Sequence, residues 1–247
     1  MFTTFIYIFS STILLSALSF FGAVILAVNR KSLTRILFGF VALSAGTLLG
    51  GAFLHLMPEG VRSLDPVLFF RITLVSFVAF FVVEKIIHWH HCHDSDCDVH
   101  SFGYMNLFGD AVHNFMDGLI IALAFLTSPV IGVTTTLALA LHELPQEIGD
   151  FGVLLHAGFS AQKALFYNFM VGLFSLLGGV LGFFLLSRTP SIISYLLPVA
   201  TASLLYVATS DLLPELKNET GLKNTFILTS IIFFGICLMY VLSLYSG

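Results

Sequence analysis

Two short segments of an otherwise apolar chain carry side chains that are able to bind a metal ion. The first reads HNFMD and begins at His113, and the second reads HELPQEIGD and begins at His142. Residues four apart lie on one face of a helix, so His113 faces the same way as Asp117. The same spacing pairs His142 with Gln146. Imidazole and carboxylate groups together suit a divalent ion such as Zn²⁺, so the pattern predicts a metal site between two helices.

The elements that hold these segments are predicted to be transmembrane helices. The 247-residue chain is 57% hydrophobic and 10% charged, and its mean hydropathy is +1.00, which is outside the range of soluble domains. Its apolar runs match the roughly 20 residues that cross a bilayer. We predict an all-α, polytopic integral membrane protein with one membrane domain over 1–247. The eight predicted spans are 5–28, 34–57, 66–87, 103–126, 130–156, 162–186, 192–213 and 225–245.

The basic residues predict how the spans are oriented. If the N-terminus lies on the non-cytoplasmic side of the membrane, seven of the ten Lys and Arg residues fall on the odd-numbered loops, which are then cytoplasmic, or at the adjoining helix ends. Cytoplasmic loops are enriched in Lys and Arg. We therefore predict that both termini lie on the non-cytoplasmic side of the membrane.

The polar residues of the fourth and fifth spans lack basic partners. No Lys or Arg occurs between Lys85 and Lys163, so ion pairs within these two spans are excluded. An unpartnered charge at mid-bilayer costs about 3 kcal/mol or more, and a bound cation, protonation or a water-filled path would offset it. Six ligand-type side chains at matched spacing favour the cation. They are His113, Asn114, Asp117, His142, Glu143 and Gln146.

Backbone effects are also expected in these spans. Pro145 has no N–H, so the carbonyl of Leu141 loses its helical partner and is predicted to face a cavity or an ion. Gly118 and Gly149 are expected to allow close approach of neighbouring helices. Asp110 is expected to cap or solvate the start of the fourth helix.

The second and seventh spans end in similar sequences. HLMPEG begins at His55 and DLLPEL begins at Asp211. Each lies at the end of the middle helix of a three-helix group, and the two middle helices run in opposite directions. This is typical of an inverted repeat, which predicts a 3+2+3 arrangement of the eight helices. The alternative is that Pro-Glu merely ends a helix at the membrane surface.

The two polar segments resemble a known family. HNFMDG at 113–118 and HELPQEIGDF at 142–151 are similar to the signature helices of the ZIP (Zrt/Irt-like) family of divalent metal transporters, and of its histidine-rich subfamily in particular. The similarity runs over nearly the whole chain, including the number of spans and a His-rich third loop. It implies a transporter and not an enzyme, one that moves a divalent metal into the cytoplasm between the fourth and fifth helices.

The resemblance also implies how the ligands are shared. Carried over by position, the first metal site is formed by His113, Asp117, His142 and Gln146, and Asn114 and Glu143 line a second, adjacent site. Relatives often have His or Glu at the position of Gln146. A neutral amide cannot bridge two metals as a carboxylate can, so one ion is favoured over two.

Other residues are predicted to lie along the path of the ion. His55 is a candidate ligand at the outer mouth, where Gly51 replaces an Asp that many relatives carry; alternatively it is a simple interface residue. Glu147 and Asp150 continue along the fifth span and are candidates for an exit relay.

The third loop forms a His/Cys-rich cytoplasmic segment over 88–102. Such a tract predicts weak and exchangeable metal binding rather than a folded zinc site. The alternative is a polar loop with incidental histidines. Its candidate ligands are His88, His90, His91, Cys92, His93, Cys97 and His100.

Three other functions remain open from the sequence. HELPQ is one residue short of the HExxH motif of zinc proteases, which raises the alternative of an intramembrane zinc metalloprotease. A metal exporter of another family and a metal sensor without transport are the others. Zn²⁺ is the expected substrate, with Fe²⁺, Mn²⁺ or Cd²⁺ as alternatives. The expected partners are the divalent ion, the lipid bilayer and a second copy of the chain in a homodimer; nucleic acid is not expected.

Overall fold

A computed structural model describes residues 1–23, 30–89, 99–217 and 221–244. Within these ranges the secondary structure is helical, and no strand occurs. The long helices are α1 (Phe2–Leu18), α2 (Arg30–Gly51, continued by Ala52–Leu56 and Met57–Ser63), α3 (Pro66–Trp89), α4 (Val99–Thr127), α5 (Pro129–His156), α6 (Ala161–Leu186), α7 (Ile193–Tyr206, continued by Val207–Leu212 and Leu213–Leu216) and α8 (Leu222–Ser243). Short 3₁₀ turns at Ser19–Ala23 and Pro190–Ile192 join them.

Seven helices of the described chain are long and apolar enough to cross a membrane. The remaining long helix is α5, which has 28 residues and is therefore about 42 Å long at 1.5 Å per residue. Its length exceeds the roughly 30 Å of a bilayer core, but its polar residues lower its hydropathy. The prediction of a multi-pass, all-helical membrane protein is confirmed in this form.

Helices α4 and α5 form a tight hairpin. Ser128 alone separates them, and its Oγ accepts a hydrogen bond from the Ile131 N–H at 3.1 Å. Pro129 occupies the first turn of α5, where its missing N–H costs no helical hydrogen bond. Gly158 follows the end of α5 with a φ of 86°, a conformation that few residues other than glycine adopt. The hairpin makes α4 and α5 antiparallel neighbours.

Helices α2 and α7 both contain a π-helical turn just before their Pro-Glu sequence. In α2 the wide turn is Ala52–Leu56, and in α7 it is Val207–Leu212. Each helix then continues, to Ser63 and to Leu216 respectively. Because each proline lies in the first turn after the wide segment, its ring is tolerated. The interpretation that Pro-Glu ends the helix is therefore wrong for α2, whereas α7 does end one residue after its Pro-Glu sequence.

The helices pack in two groups. Helices α1, α4, α5 and α6 contact one another, while α2 packs along α8 and α3 packs along α7. The contact between α2 and α5 is the principal one that joins the groups. The polar segments of α4 and α5 therefore lie inside the first group, with α2 alongside.

Glycines bring two pairs of helices close together. A Cβ at Gly118 of α4 would collide with the backbone of Ser175 in α6, and one at Gly46 of α2 would collide with the backbone of Ile232 in α8. The prediction of close approach is confirmed for Gly118. It is wrong for Gly149, which is exposed and has open space beside its Cα.

Candidate metal site

Four ligand-type side chains from α4 and α5 converge on one point. They are His113, Asp117, His142 and Glu143, and one ligand atom of each lies within 4.8 Å of those of the other three. We refer to them as the four-residue cluster. Asp117, His142 and Glu143 are buried, whereas 25% of the His113 side chain is exposed. One side of the cluster is therefore open.

The spacing of the ligand atoms suits a single small ion. His113 Nε2 lies 3.0 Å from His142 Nε2 and 3.4 Å from Glu143 Oε1. His142 Nε2 lies 3.4 Å from Glu143 Oε1 and 3.5 Å from Asp117 Oδ2. The ligands of a tetrahedral zinc ion, at about 2.1 Å from the metal, are about 3.4 Å from one another. Together with the 3.8 Å between His113 Nε2 and Asp117 Oδ2, the separations lie on both sides of this value.

The carboxylates of the cluster lack hydrogen-bond donors. In the described part of the chain, Asp117 Oδ2 and both carboxylate oxygens of Glu143 are buried without a hydrogen-bond partner. Burial of an unsatisfied polar group is costly, and more so for a charged one. A cation between these oxygens and the two imidazoles would satisfy all of them.

The carbonyl next to His142 is held by another helix. Pro145 lies inside α5 and leaves the Leu141 carbonyl without its helical donor. The Ser44 hydroxyl of α2 donates a hydrogen bond to that carbonyl at 2.7 Å. The prediction that the Leu141 carbonyl faces a cavity or an ion is therefore wrong, because that carbonyl faces the Ser44 hydroxyl and accepts its hydrogen bond.

Asn114 and Gln146 lie outside the four-residue cluster and contact Asp110. Asp110 Oδ1 accepts hydrogen bonds from Asn114 Nδ2 at 2.9 Å and from Gln146 Nε2 at 3.1 Å. The structure groups Glu143 with His113, Asp117 and His142, and the predicted places of Asn114 and Gln146 in the two sites stay a prediction.

Asp110 is the functional candidate that sequence reasoning missed. Since α4 already begins at Val99, Asp110 lies in the helix interior and is only 5% exposed. The expectation that it caps or solvates the helix start is wrong. Its spacing of four residues from Asn114 was a signal that could have identified it.

The two acids predicted further along α5 are each held by an amide. Asn168 Nδ2 of α6 donates to Glu147 Oε2 at 2.7 Å, and Asn106 Nδ2 of α4 donates to Asp150 Oδ1 at 2.9 Å. Within the described residues, Glu147 Oε1 and Asp150 Oδ2 are buried without a hydrogen-bond partner. Sequence reasoning did not single out either asparagine.

His55 lies in the interface between α2 and α8. Its Nε2 contacts the Met239 carbonyl at 3.0 Å, with the ring nitrogen as the donor, and the residue is 3% exposed. The structure does not bring His55 into the four-residue cluster.

The His/Cys-rich loop stays a prediction. His90, His91, Cys92, His93 and Cys97 lie outside the described residues. His88 and His100 lie at the ends of α3 and α4, and their side chains are outside the description as well.

The fold and the cluster together define a class: a multi-pass helical membrane protein with metal-type ligands between two neighbouring spans. Comparison with known families narrows this class. The model of the ZIP zinc transporter family matches residues 2–101 and 90–243, which together include nearly all of the sequence. The chain belongs to this family.

Three relatives show the extent of the similarity. Zinc transporter ZIP13 of Danio rerio is 38% identical over 148 residues, which cover 58% of this chain and 41% of that protein. IAA-alanine resistance protein 1 of Arabidopsis thaliana is 42% identical over 127 residues, which cover 50% of this chain and 27% of that protein. Zinc transporter ZIP10 of Homo sapiens is 32% identical over 188 residues, which cover 67% of this chain and 23% of that protein. The chain thus matches less than half the length of each relative.

Proposed function

We propose that this chain carries a divalent metal ion, zinc in the first place, across a membrane and into the cytoplasm by a path between α4 and α5. The four-residue cluster is the observation that carries the proposal. Two relatives that bear the name zinc transporter support zinc as the substrate. Fe²⁺, Mn²⁺ and Cd²⁺ stay alternatives, because nitrogen and oxygen ligands alone do not decide between them.

The ion is bound by His113, Asp117, His142 and Glu143. Two neutral imidazoles and two carboxylates complete a tetrahedral shell and compensate the charge of a divalent cation. Because the Glu143 oxygen is 3.4 Å from both histidine nitrogens, it serves the same ion as they do. One ion therefore occupies this point of the path, with the amides of Asn114 and Gln146 beside it.

Glu147 and Asp150 continue the path toward the cytoplasm. In the proposed orientation α5 runs inward, so its later residues lie nearer the cytoplasmic end. Each carboxylate is steadied by one amide and keeps one oxygen without a hydrogen bond among the described residues. An ion that leaves the cluster meets these oxygens next, and the His/Cys-rich segment over 88–102 receives it at the membrane surface. His55 belongs to the packing of α2 on α8 and has no direct part.

The helices follow a 3+2+3 inverted repeat. The matched π-helical turns of α2 and α7, each followed by Pro-Glu, support this arrangement. The pseudo-twofold axis of the proposed repeat relates α2 to α7 and α3 to α8. It therefore relates the contact between α2 and α8 to the contact between α7 and α3, and both contacts occur. The hairpin of α4 and α5 then lies on the pseudo-twofold axis.

A homodimer is the proposed assembly in the bilayer. In the apolar membrane-spanning stretches of α3 and α8, only 11% of the residues are buried within the protein. Their apolar faces are therefore covered either by lipid or by a second copy of the chain. An intramembrane protease is disfavoured, because Gln146 takes the place of the second histidine of HExxH and contacts Asp110. Membership of a transporter family argues in the same direction.

Uptake of radiolabelled Zn²⁺ into proteoliposomes tests the proposal. His142→Ala and Asp117→Ala each remove one of four ligands, so we expect flux to fall at least tenfold, the usual scale for loss of a metal site's supporting groups. Asp65→Ser is the matched control, since it replaces an exposed carboxylate that caps α3 with another capping residue. Wild-type flux in both cluster variants would refute the site, and absence of flux in the wild type would refute transport.

A further inference from the structure

The geometry points to Asp110 as a positioning residue that sets the orientation of the two amides beside the transported ion. This inference rests on the proposed function, because it concerns how the metal path is organised. Asp110 belongs to α4, is 5% exposed and has no counterpart in the predicted ligand set. Its role follows from what its carboxylate contacts.

One carboxylate oxygen holds amides from two helices. Asp110 Oδ1 accepts a hydrogen bond from Asn114 on its own helix and from Gln146 on α5. Asn114 follows the cluster residue His113 directly, and Gln146 lies one turn after His142. Both amides therefore stand next to cluster ligands.

The hydrogen bonds to the Asp110 carboxylate fix which end of each amide group faces it. Asp110 Oδ1 is the acceptor for both amides, so each amide presents its NH₂ group to Asp110. The oxygen is on the other branch of the amide and so faces away. In the described part of the chain, neither Asn114 Oδ1 nor Gln146 Oε1 accepts a hydrogen bond. Both oxygens stay free to approach a cation, which the NH₂ groups would repel.

The other amide–carboxylate pairs of these helices do not have this arrangement. Asp150 and Glu147 each hold an amide from Asn106 or Asn168, and neither asparagine adjoins a cluster residue in the sequence. Of these three acids, Asp110 is the one whose carboxylate accepts hydrogen bonds from two amides, one on α4 and one on α5. Its loss is expected to affect the ion through Gln146 rather than through packing.

A double-mutant cycle on Zn²⁺ uptake tests this role. Asp110→Leu removes the acceptor at similar volume, and we expect it to raise the KM for Zn²⁺ about tenfold with a smaller change in the maximal rate, as for other groups that orient metal ligands. Gln146→Ala is expected to raise KM as well. If Asp110 acts through Gln146, the double variant shows no greater KM than the more affected single variant.

Two further variants make the result specific. Asp110→Asn keeps an acceptor oxygen and is expected to restore most of the wild-type KM. The cycle of Asp150→Ala with Gln146→Ala, which share no hydrogen bond, is expected to be additive. Additive effects of Asp110→Leu and Gln146→Ala, or an equal KM in Asp110→Asn and Asp110→Leu, would overturn the inference.

Folding and the underlying function are checked separately. Each purified variant must elute as a single species in detergent, and Asp110→Ala replaces the leucine variant if that one aggregates. Wild-type flux in His142→Ala would refute the proposed metal site itself. Loss of flux in His142→Ala together with an additive Asp110 cycle would refute only the positioning role.

Discussion

Glu143 is fully buried between two helices, and its Oε1 lies 3.4 Å from an imidazole nitrogen of His113 and from one of His142. Neither of its carboxylate oxygens has a hydrogen-bond partner among the described residues. If the cluster binds the proposed ion, a residue in this position is expected to destabilise the metal-free protein and to stabilise the metal-bound one. The cluster therefore links stability to the presence of the ion.

Glu143→Gln separates these two effects. The amide has nearly the same volume and carries no charge, so the metal-free variant is expected to melt at a higher temperature than the wild type. Zinc should no longer protect it, whereas the wild type gains about 2.7 kcal/mol at a metal concentration of one hundred times Kd. Thermal unfolding in detergent with and without Zn²⁺ measures both. Equal protection of the variant and the wild type by zinc would contradict the prediction.

At the scale of whole helices, α5 passes through a proline without ending. Pro145 removes the helical donor of the Leu141 carbonyl, and Ser44 of α2 replaces it from a distant part of the sequence. The same contact links the two groups of helices. The Ser44 hydroxyl, which also lies 2.7 Å from the Phe40 carbonyl of its own helix, thus connects α2 to the backbone of α5 next to His142.

Ser44→Ala is expected to lower the free energy of unfolding by about 1–3 kcal/mol, because it leaves a buried carbonyl unsatisfied. Adding Pro145→Ala should recover part of this loss, since an alanine N–H again reaches the Leu141 carbonyl. Ser10→Ala is the control, because that exposed hydroxyl bonds only to carbonyls of its own helix; its effect should stay within about 0.5 kcal/mol. Equal melting temperatures of the two serine variants would refute the role of Ser44.

Gly118 and Gly149 allow a controlled comparison, because both lie inside helices but only Gly118 has a neighbouring backbone beside its Cα. Gly118→Ala places a methyl group against the Ser175 backbone of α6, so we expect a destabilisation of about 1–3 kcal/mol. Gly149→Ala meets open space and is expected to stabilise α5 by up to about 1 kcal/mol. Thermal unfolding of the two variants side by side is the measurement. A neutral or stabilising effect of Gly118→Ala would show that α4 and α6 are not packed this closely.

At the scale of the whole molecule, the sequence is a good guide to the helices and a poorer one to how they meet. Hydropathy is a local property, so the predicted spans agree with the observed helices within a few residues at most ends. The pairing of His113 with Asp117 follows from helical spacing alone. The convergence of Glu143 on both histidines does not follow from it, because that contact depends on how α5 is rotated about its axis against α4.

The contacts that sequence reasoning missed share a physical cause. Ser44 and Leu141 are 97 residues apart, and Asn168 and Glu147 are 21 residues apart on the consecutive helices α6 and α5. Helical spacing predicts which residues share a face of one helix, but not which residue of another helix they contact. The π-helical turns were missed for another reason: the wide turn keeps the same residue types as an ordinary helix. Asp110 lies inside both the predicted span 103–126 and the observed helix α4, and it was overlooked because its contact with Gln146 joins two different helices.

Orientation in the membrane is the prediction that belongs to this scale. In a variant without its native cysteines, Ser63→Cys should react with a membrane-impermeant thiol reagent from the non-cytoplasmic side. Ser160→Cys, which precedes α6, should react only after the membrane is permeabilised. The opposite pattern would reverse the proposed topology and with it the direction of the exit path.

The single residue between α4 and α5 has a consequence for how the protein is made. Because Ser128 is the single residue between the two helices, we expect them to enter the membrane together as one hairpin. This matters for α5, which is not among the helices that are apolar enough to cross a membrane by composition alone. In a hairpin the polar faces of α4 and α5 contact each other, which lowers the cost of placing their carboxylates in lipid. The one-residue connection is therefore expected to assist the insertion of α5.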